Sequence, residues 1–163
     1  MKLGRQSRRS LLTAVTALAV SVVLAVPAVA GGSVVTRGDF TTLPDGTAAE
    51  LEVGGHAQMV RRANGTTKVN VQVTGLVPGD AYAAHVHAGT CADEGPHYFF
   101  VDPVTDGDGP NGDEIWPGPV SANAGGIATG KATVGDTAGP TAGSVVVHAT
   151  DTGGPRIACA DLS

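Results

Sequence analysis

The sequence predicts an all-β fold: an antiparallel Greek-key β-sandwich or flattened barrel of about seven or eight strands with one long functional loop. Three observations carry that expectation. Gly fills 24 of the 163 positions and aromatic residues only 4%, which argues against a long amphipathic helical bundle. The apolar residues are mostly Ala and Val, small or β-branched side chains that suit short strands. Clusters of Gly, Pro, Asn and Asp then interrupt the apolar runs at short intervals, as turns between strands do. A chain of this length allows one such domain.

The amino terminus stands apart from it. Lys2, Arg5, Arg8 and Arg9 form a basic start, Leu11 to Val26 an apolar stretch, and Ala28-Val29-Ala30 a small-residue cleavage pattern, together an export signal over residues 1–30. Ser7-Arg8-Arg9-Ser10-Leu11-Leu12 adds the pattern of a twin-arginine signal. The apolar stretch approaches the length of a membrane anchor, but the cleavage pattern and the Gly31-Gly32 pair favour removal, so no stable membrane span is expected in the mature chain. Cleavage removes four basic residues and no acidic ones, which takes the formal net charge from −5 to −9. A surface of that sign suits neither nucleic acid nor anionic lipid. The expectation is a secreted protein, extracellular or in the cell envelope, with its domain over residues 31–163.

Within the domain, Ser33 to Arg37 reads as a strand and Pro44-Asp45-Gly46 as a turn. His56 to Arg62 and Thr67 to Val73 flank Asn64-Gly65, the strongest short-range hairpin signal. Val69, Val71 and Val73 alternate with Lys68, Asn70 and Gln72, the period of a half-buried strand. Asn64-Gly65-Thr66 also matches a glycosylation sequon, which the turn explains. Leu76 to Asp80 is another turn and Ala81 to His87 a further strand. From Ala88 to Pro119 no periodicity appears, so this is the long loop, and such loops are usually functional. The acidic run from Asp106 to Glu114 lacks the spacing of a calcium loop, with Pro110 at a ligand position. Val120 to Val134, Gly143 to Ala149 and Arg156 to Ala160 return to strand patterns.

Two cysteines, Cys91 and Cys159, read first as a disulfide in an exported domain, the alternative being two buried thiols. Of the five histidines, His85 and His87 are separated by one residue, so on a strand both rings leave the same face and can grip one ion. His148 ends the run Val145-Val146-Val147, and His97 follows Gly95-Pro96 soon after Cys91. His56 reads as a surface residue of the hairpin.

Ala84-His-Val-His87, Cys91, Gly95-Pro-His97, Val145-Val-Val-His148 and Arg156-Ile-Ala-Cys159, in this order, resemble the signatures of the Cu/Zn superoxide dismutases. The likeness runs from about Met59 to Leu162 and includes the hairpin and the turn Val73-Thr-Gly-Leu-Val-Pro-Gly79. It implies that His85, His87 and His148 are copper ligands and that His97 is the histidine which bridges copper to zinc. It also implies a Cys91–Cys159 disulfide and Arg156 as the guide for the anionic substrate. Imidazole nitrogens suit copper in both oxidation states.

Two departures refine the resemblance. The family's loop supplies two further histidines and an aspartate to zinc, whereas residues 98–147 contain no histidine. His97 with Asp102, Asp113 or Glu114 is a poor zinc set, so zinc is not expected. The family's electrostatic loop is also cut to Ala149-Thr-Asp-Thr-Gly-Gly-Pro155. Both features resemble the copper-only extracellular branch. A partner should still orient His97, with Asp102, Asp113 and Glu114 as candidates. The implied function is a copper-dependent superoxide dismutase with superoxide anion as substrate, Arg156 and His97 as its catalytic residues, and a copper donor as a further partner. A copper-capture or delivery module of the same fold is the alternative, ahead of a purely structural sandwich. Oligomeric state is not legible in these motifs.

Overall fold

A computed structural model of the protein describes residues 31–100 and 113–163. The export-signal reading, Asp102 and most of the acidic run lie outside the described residues. Two four-stranded antiparallel sheets face each other. The first holds β1 (Val34–Asp39), β3 (Gly54–Arg61), β4 (Thr67–Thr74) and β8 (Ala128–Val134) in the order β1-β3-β4-β8. The second holds β2 (Thr41–Thr42), β10 (Gly153–Asp161), β9 (Ala142–Thr150) and β6 (Ala84–Ala88) in the order β2-β10-β9-β6. A small ribbon pairs β5 (Ala81–Tyr82) with β7 (Val120–Ser121). The all-β expectation holds.

Local chemistry explains the first sheet. At the tip of the β3–β4 hairpin Gly65 takes φ +85°, a left-handed conformation that only glycine adopts without strain. The Asn64 side-chain oxygen accepts from the Thr66 hydroxyl at 2.8 Å. The resulting register sets Arg61 opposite Thr67 and Met59 opposite Val69. Thr67, Val69, Val71 and Val73 are buried while the residues between them are not, as the alternation predicts. The three valines meet Val86, Val145, Val147, Ala158 and Ala160 from the second sheet in one apolar core, where each buried Val contributes about 1.5–3 kcal/mol over an exposed one.

The structure departs from the sequence reading in two places. Pro44-Asp45-Gly46 opens one helical turn, α1 (Pro44–Ala48), with proline in the first turn, where its missing N–H is not needed. The strand expected over Ala81 to His87 breaks at Ala83. There the chain leaves the ribbon with β7 and joins β9, Ala83 donating to the Thr150 carbonyl and accepting from the His148 N–H.

One side of the sandwich closes through β1, whose Arg37 exchanges two backbone hydrogen bonds with Ser163. On the other side β6 would be a bare edge. The long loop covers it twice: Tyr98 donates to the Val86 carbonyl, and Val86 donates to the Ile115 carbonyl. Ile115 is fully buried. Covering an exposed edge removes a template for pairing with other chains, and here it also sets the loop against the face that carries the histidines.

Cys91 and Cys159 are joined by a disulfide with Cα atoms 5.8 Å apart and a sequence separation of 68. Replacing both by serine is expected to lower the unfolding free energy by about 4 kcal/mol, the entropy of an open loop of that length. Urea unfolding of the two proteins measures this, and equal midpoints would contradict it.

Candidate metal centre

Directly opposed residues in an antiparallel pair send their side chains to one face, as do residues two apart on a strand. His85 is opposite Val146 and His87 opposite Ser144, so with His148 two positions beyond Val146 all three histidines leave the outer face of the second sheet. The intervening Val86, Val145 and Val147 point into the core. The same alternation that makes the strands amphipathic therefore sorts imidazoles from core side chains. His85 and His87 are each 1% exposed and His148 6%. Such burial of polar rings on an outer face is possible because His97 and Trp116, from the described parts of the long loop, lie against His85.

His97 arrives from that loop. It pairs with His87 in an isolated antiparallel bridge, and its ring centre lies 3.9 Å from that of His85 and 5.1 Å from that of His87. The donor nitrogens of His85, His87 and His97 all fall within 4.8 Å of one another. That is the scale of a single ion's shell, in which bonds of about 2.0 Å put opposed nitrogens about 4 Å apart. His148 adjoins this group, its ring stacked on His85 with centres 4.6 Å apart and lying 6.4 Å from that of His97. The structure thus brings together all four histidines singled out in the sequence, three in the tightest group and the fourth alongside. His56 is exposed on β3, outside the cluster.

Hydrogen bonding fixes which nitrogens are free. His87 donates from Nδ1 to the Gly95 carbonyl at 2.7 Å, and His148 from Nδ1 to the Gly154 carbonyl at 2.8 Å. A carbonyl only accepts, so Nε2 of each ring keeps its lone pair. His97 Nδ1 lies 2.8 Å from Glu114 Oε1. Of the candidates for orienting His97, Glu114 is in contact with it, while Asp102 lies outside the described residues. This is the pattern by which metal-binding imidazoles are held in one tautomer. Among the described residues, three buried ring nitrogens then have no hydrogen-bond partner: His85 Nδ1, His87 Nε2 and His148 Nε2. Buried nitrogens are rarely left so, and three at one place match the donor set of a cation site.

The electrostatics agree. Burial, reinforced by repulsion from the neighbouring His97, His87 and His148 rings and from Arg156, pushes the His85 pKa down to about 2. Burial pushes His87 down to about 4, against a raising effect of the Gly95 carbonyl. Burial also lowers His148, partly offset by Gly154. Neutral rings are the form that binds metal.

The loop holding His97 is anchored chemically. Thr90 and Asp93 form a reciprocal cap on the turn Cys91–Asp93, and the Cys91 N–H donates to Asp161 Oδ1 at 2.6 Å. Gly95 packs so closely on β6 that an added Cβ would lie 1.8 Å from the Ala88 carbonyl oxygen, so only glycine fits. Its own carbonyl serves two groups, His87 Nδ1 and the Arg156 guanidinium, the latter at 3.0 Å. Arg156 is thereby fixed next to the imidazoles. Beside it a cavity of about 460 Å³ is lined by His87, Arg156, Ser144, the disulfide and two carboxylates, Asp45 and Glu94.

Sequence reasoning gave no role to Trp116. Its ring stacks on His85 with centres 4.3 Å apart, and its indole N–H donates to Glu114 Oε2. The available signal was that Trp116, the chain's single tryptophan, stands two residues after a candidate carboxylate.

A scan against protein-family models finds no match to this chain, and neither does a search of curated proteins. The His85, His87 and His97 group can hold a metal ion.

Proposed function

We propose that this chain is a secreted copper-dependent superoxide dismutase that works without a zinc partner ion. The observation that carries the reading is the set of three buried imidazole nitrogens without partners, gathered beside an anchored guanidinium. An all-nitrogen set of neutral imidazoles suits copper better than the harder divalent cations, which prefer oxygen. His85, His87, His97 and His148 would hold the ion. Copper held there would supply the one-electron redox chemistry by which two superoxide anions and two protons give dioxygen and hydrogen peroxide.

The remaining work falls to the chain's own residues. Burial keeps the His85 and His87 rings neutral, and the Gly95 and Gly154 carbonyls aim His87 and His148. The His97 side chain, 38% exposed, forms the outward wall of the site. With Nδ1 directed at Glu114, Nε2 is the nitrogen through which His97 would reach the ion. Arg156 attracts the anion. The mature charge of −9 opposes its approach overall, but charges beyond about 8 Å are largely screened at physiological salt, so the local guanidinium decides access.

Copper-loaded mature protein, freed of loose metal by chelation and dialysis, is expected to remove superoxide in stopped-flow or pulse-radiolysis decay far faster than buffer. A rate equal to buffer would end the proposal. Arg156→Ala is expected to keep its copper and slow the decay by about tenfold or more, the lower range of local steering effects. An unchanged rate would show that Arg156 is not the guide.

One observation favours a second reading. Asp45 and Glu94 share a cavity with Arg156, and two carboxylates suit the passage of a cation better than that of an anion. A copper-capture or delivery module would retain the ion in the same assay and leave the superoxide decay unaltered.

A further inference from the structure

Glu114 is 3% exposed, and its carboxylate must find donors for both oxygens. One oxygen faces His97 Nδ1 at 2.8 Å. The other takes the indole N–H of Trp116. The segment that carries both residues is pinned along β6, with the Ile115 carbonyl accepting from Val86 and the Gly118 N–H donating to Ala84. Ile115, between them, is fully buried in the core. In an extended segment that leaves Glu114 and Trp116 on the opposite side, the one the histidines occupy. The Trp116 ring also stacks on His85 at 4.3 Å between centres, tilted by 30°. His85, Trp116, Glu114 and His97 therefore close a ring of contacts around one side of the metal centre.

We propose that Trp116 is a positioning residue for that centre: its N–H holds one oxygen of Glu114 so that the other fixes His97 in the Nδ1–H tautomer, leaving Nε2 bare toward the other imidazoles. The proposal deepens the metal-site reading and rests on it. His87 and His148 need no such help, because backbone carbonyls orient them. Among the described residues, His97 is the imidazole whose Nδ1 meets a side chain, and that side chain is held by Trp116. Without the N–H, the second Glu114 oxygen is buried with no donor, an arrangement costly enough that the carboxylate turns away from His97.

The test uses Trp116→Phe, which keeps an aromatic ring over His85, and a second protein in which benzothiophene replaces the indole, preserving shape while deleting the N–H. Nitrogen-15 NMR of metal-free protein at pH 7.5 reads each histidine's tautomer. In the parent, His97 is expected as the Nδ1–H form; in both variants its shifts move to the average of the two tautomers while those of His87 and His148 stay put. Copper affinity is expected to fall 10- to 100-fold in both, the usual effect of removing an outer partner. Unchanged His97 shifts and affinity would overturn the proposal. Joint movement of all the histidines would also overturn it, since that marks general packing. The tautomer is read without metal, so a parent protein inactive toward superoxide would end the functional reading and still leave the NMR result to decide this one.

Discussion

Replacing His85 by alanine is expected to cost the protein its metal ion while leaving the sandwich folded. His85 stands at the middle of the cluster, its ring within 4.7 Å of those of His87, His97, His148 and Trp116, centre to centre. Its Nδ1 is one of the three buried nitrogens without a partner. Removing an outer partner of a metal ligand already costs about 10- to 100-fold in affinity, so removing a ligand from the centre should weaken copper binding by more than about 100-fold. The metal-free fold is expected to change by only about 1–2 kcal/mol, because lost ring packing is offset by removal of an unsatisfied buried nitrogen. Competition titration with a copper chelator and urea unfolding of the metal-free proteins make the two measurements. Parent-like copper affinity would show that the ion, if bound, sits elsewhere.

The metal-free protein is expected to lose stability steeply in acid. In the folded protein His85 stays neutral down to about pH 2 and His87 down to about pH 4. In the unfolded chain both protonate near their ordinary value of about 6.5. Between these limits the unfolded state carries the additional protons, so the contribution of the neutral rings is complete above about pH 6.5 and is lost as the pH falls. Near pH 5 the two rings alone give a slope of roughly 2–3 kcal/mol per pH unit, and the lowered His148 acts in the same direction. Against a typical total margin of about 5–15 kcal/mol, one or two pH units below 6 should bring the metal-free protein to the edge of unfolding. Bound metal opposes this, since it holds only the neutral rings. Urea midpoints at pH 7.5, 6.0, 5.0 and 4.5, with and without copper, check both parts. A flat profile for the metal-free protein would contradict the burial of these rings.

How far the site was legible in the sequence depended on the range of the interactions that build it. The alternation of Val69, Val71 and Val73, the Asn64-Gly65 turn and the single-residue spacing of His85 and His87 are local, and each predicted its structure directly. His148 was legible as well, as the polar end of a buried apolar run. The break of the strand at Ala83 was not, because Ala83 changes partner from one strand to another and its sequence carries no mark of that. The helical turn at Pro44 was missed for a related reason: Gly46 sits against the Ile157 carbonyl, where an added Cβ would lie 2.3 Å from the oxygen, and tertiary packing sets its conformation.

Around the candidate metal centre the same division holds. The four imidazoles announce themselves by type and spacing, whereas the groups that orient them do not. Two are backbone carbonyls, of Gly95 and Gly154, which no residue identity reveals. Glu114 was one of three carboxylates between which composition could not choose. Its selection follows from how the long loop lies along β6, where the hydrogen bonds of Val86 hold the segments bearing His97 and Glu114 on the same free edge of that strand. Trp116 enters only once that path is known.

Electron paramagnetic resonance of the mature protein loaded with one equivalent of copper(II) tests the metal centre most directly. The expected spectrum is a single tetragonal copper signal with nitrogen couplings from the imidazoles of His85, His87, His97 and His148, from protein that retains one copper and no zinc per chain after dialysis. An oxygen-rich signal, or copper that dialyses away, would contradict it.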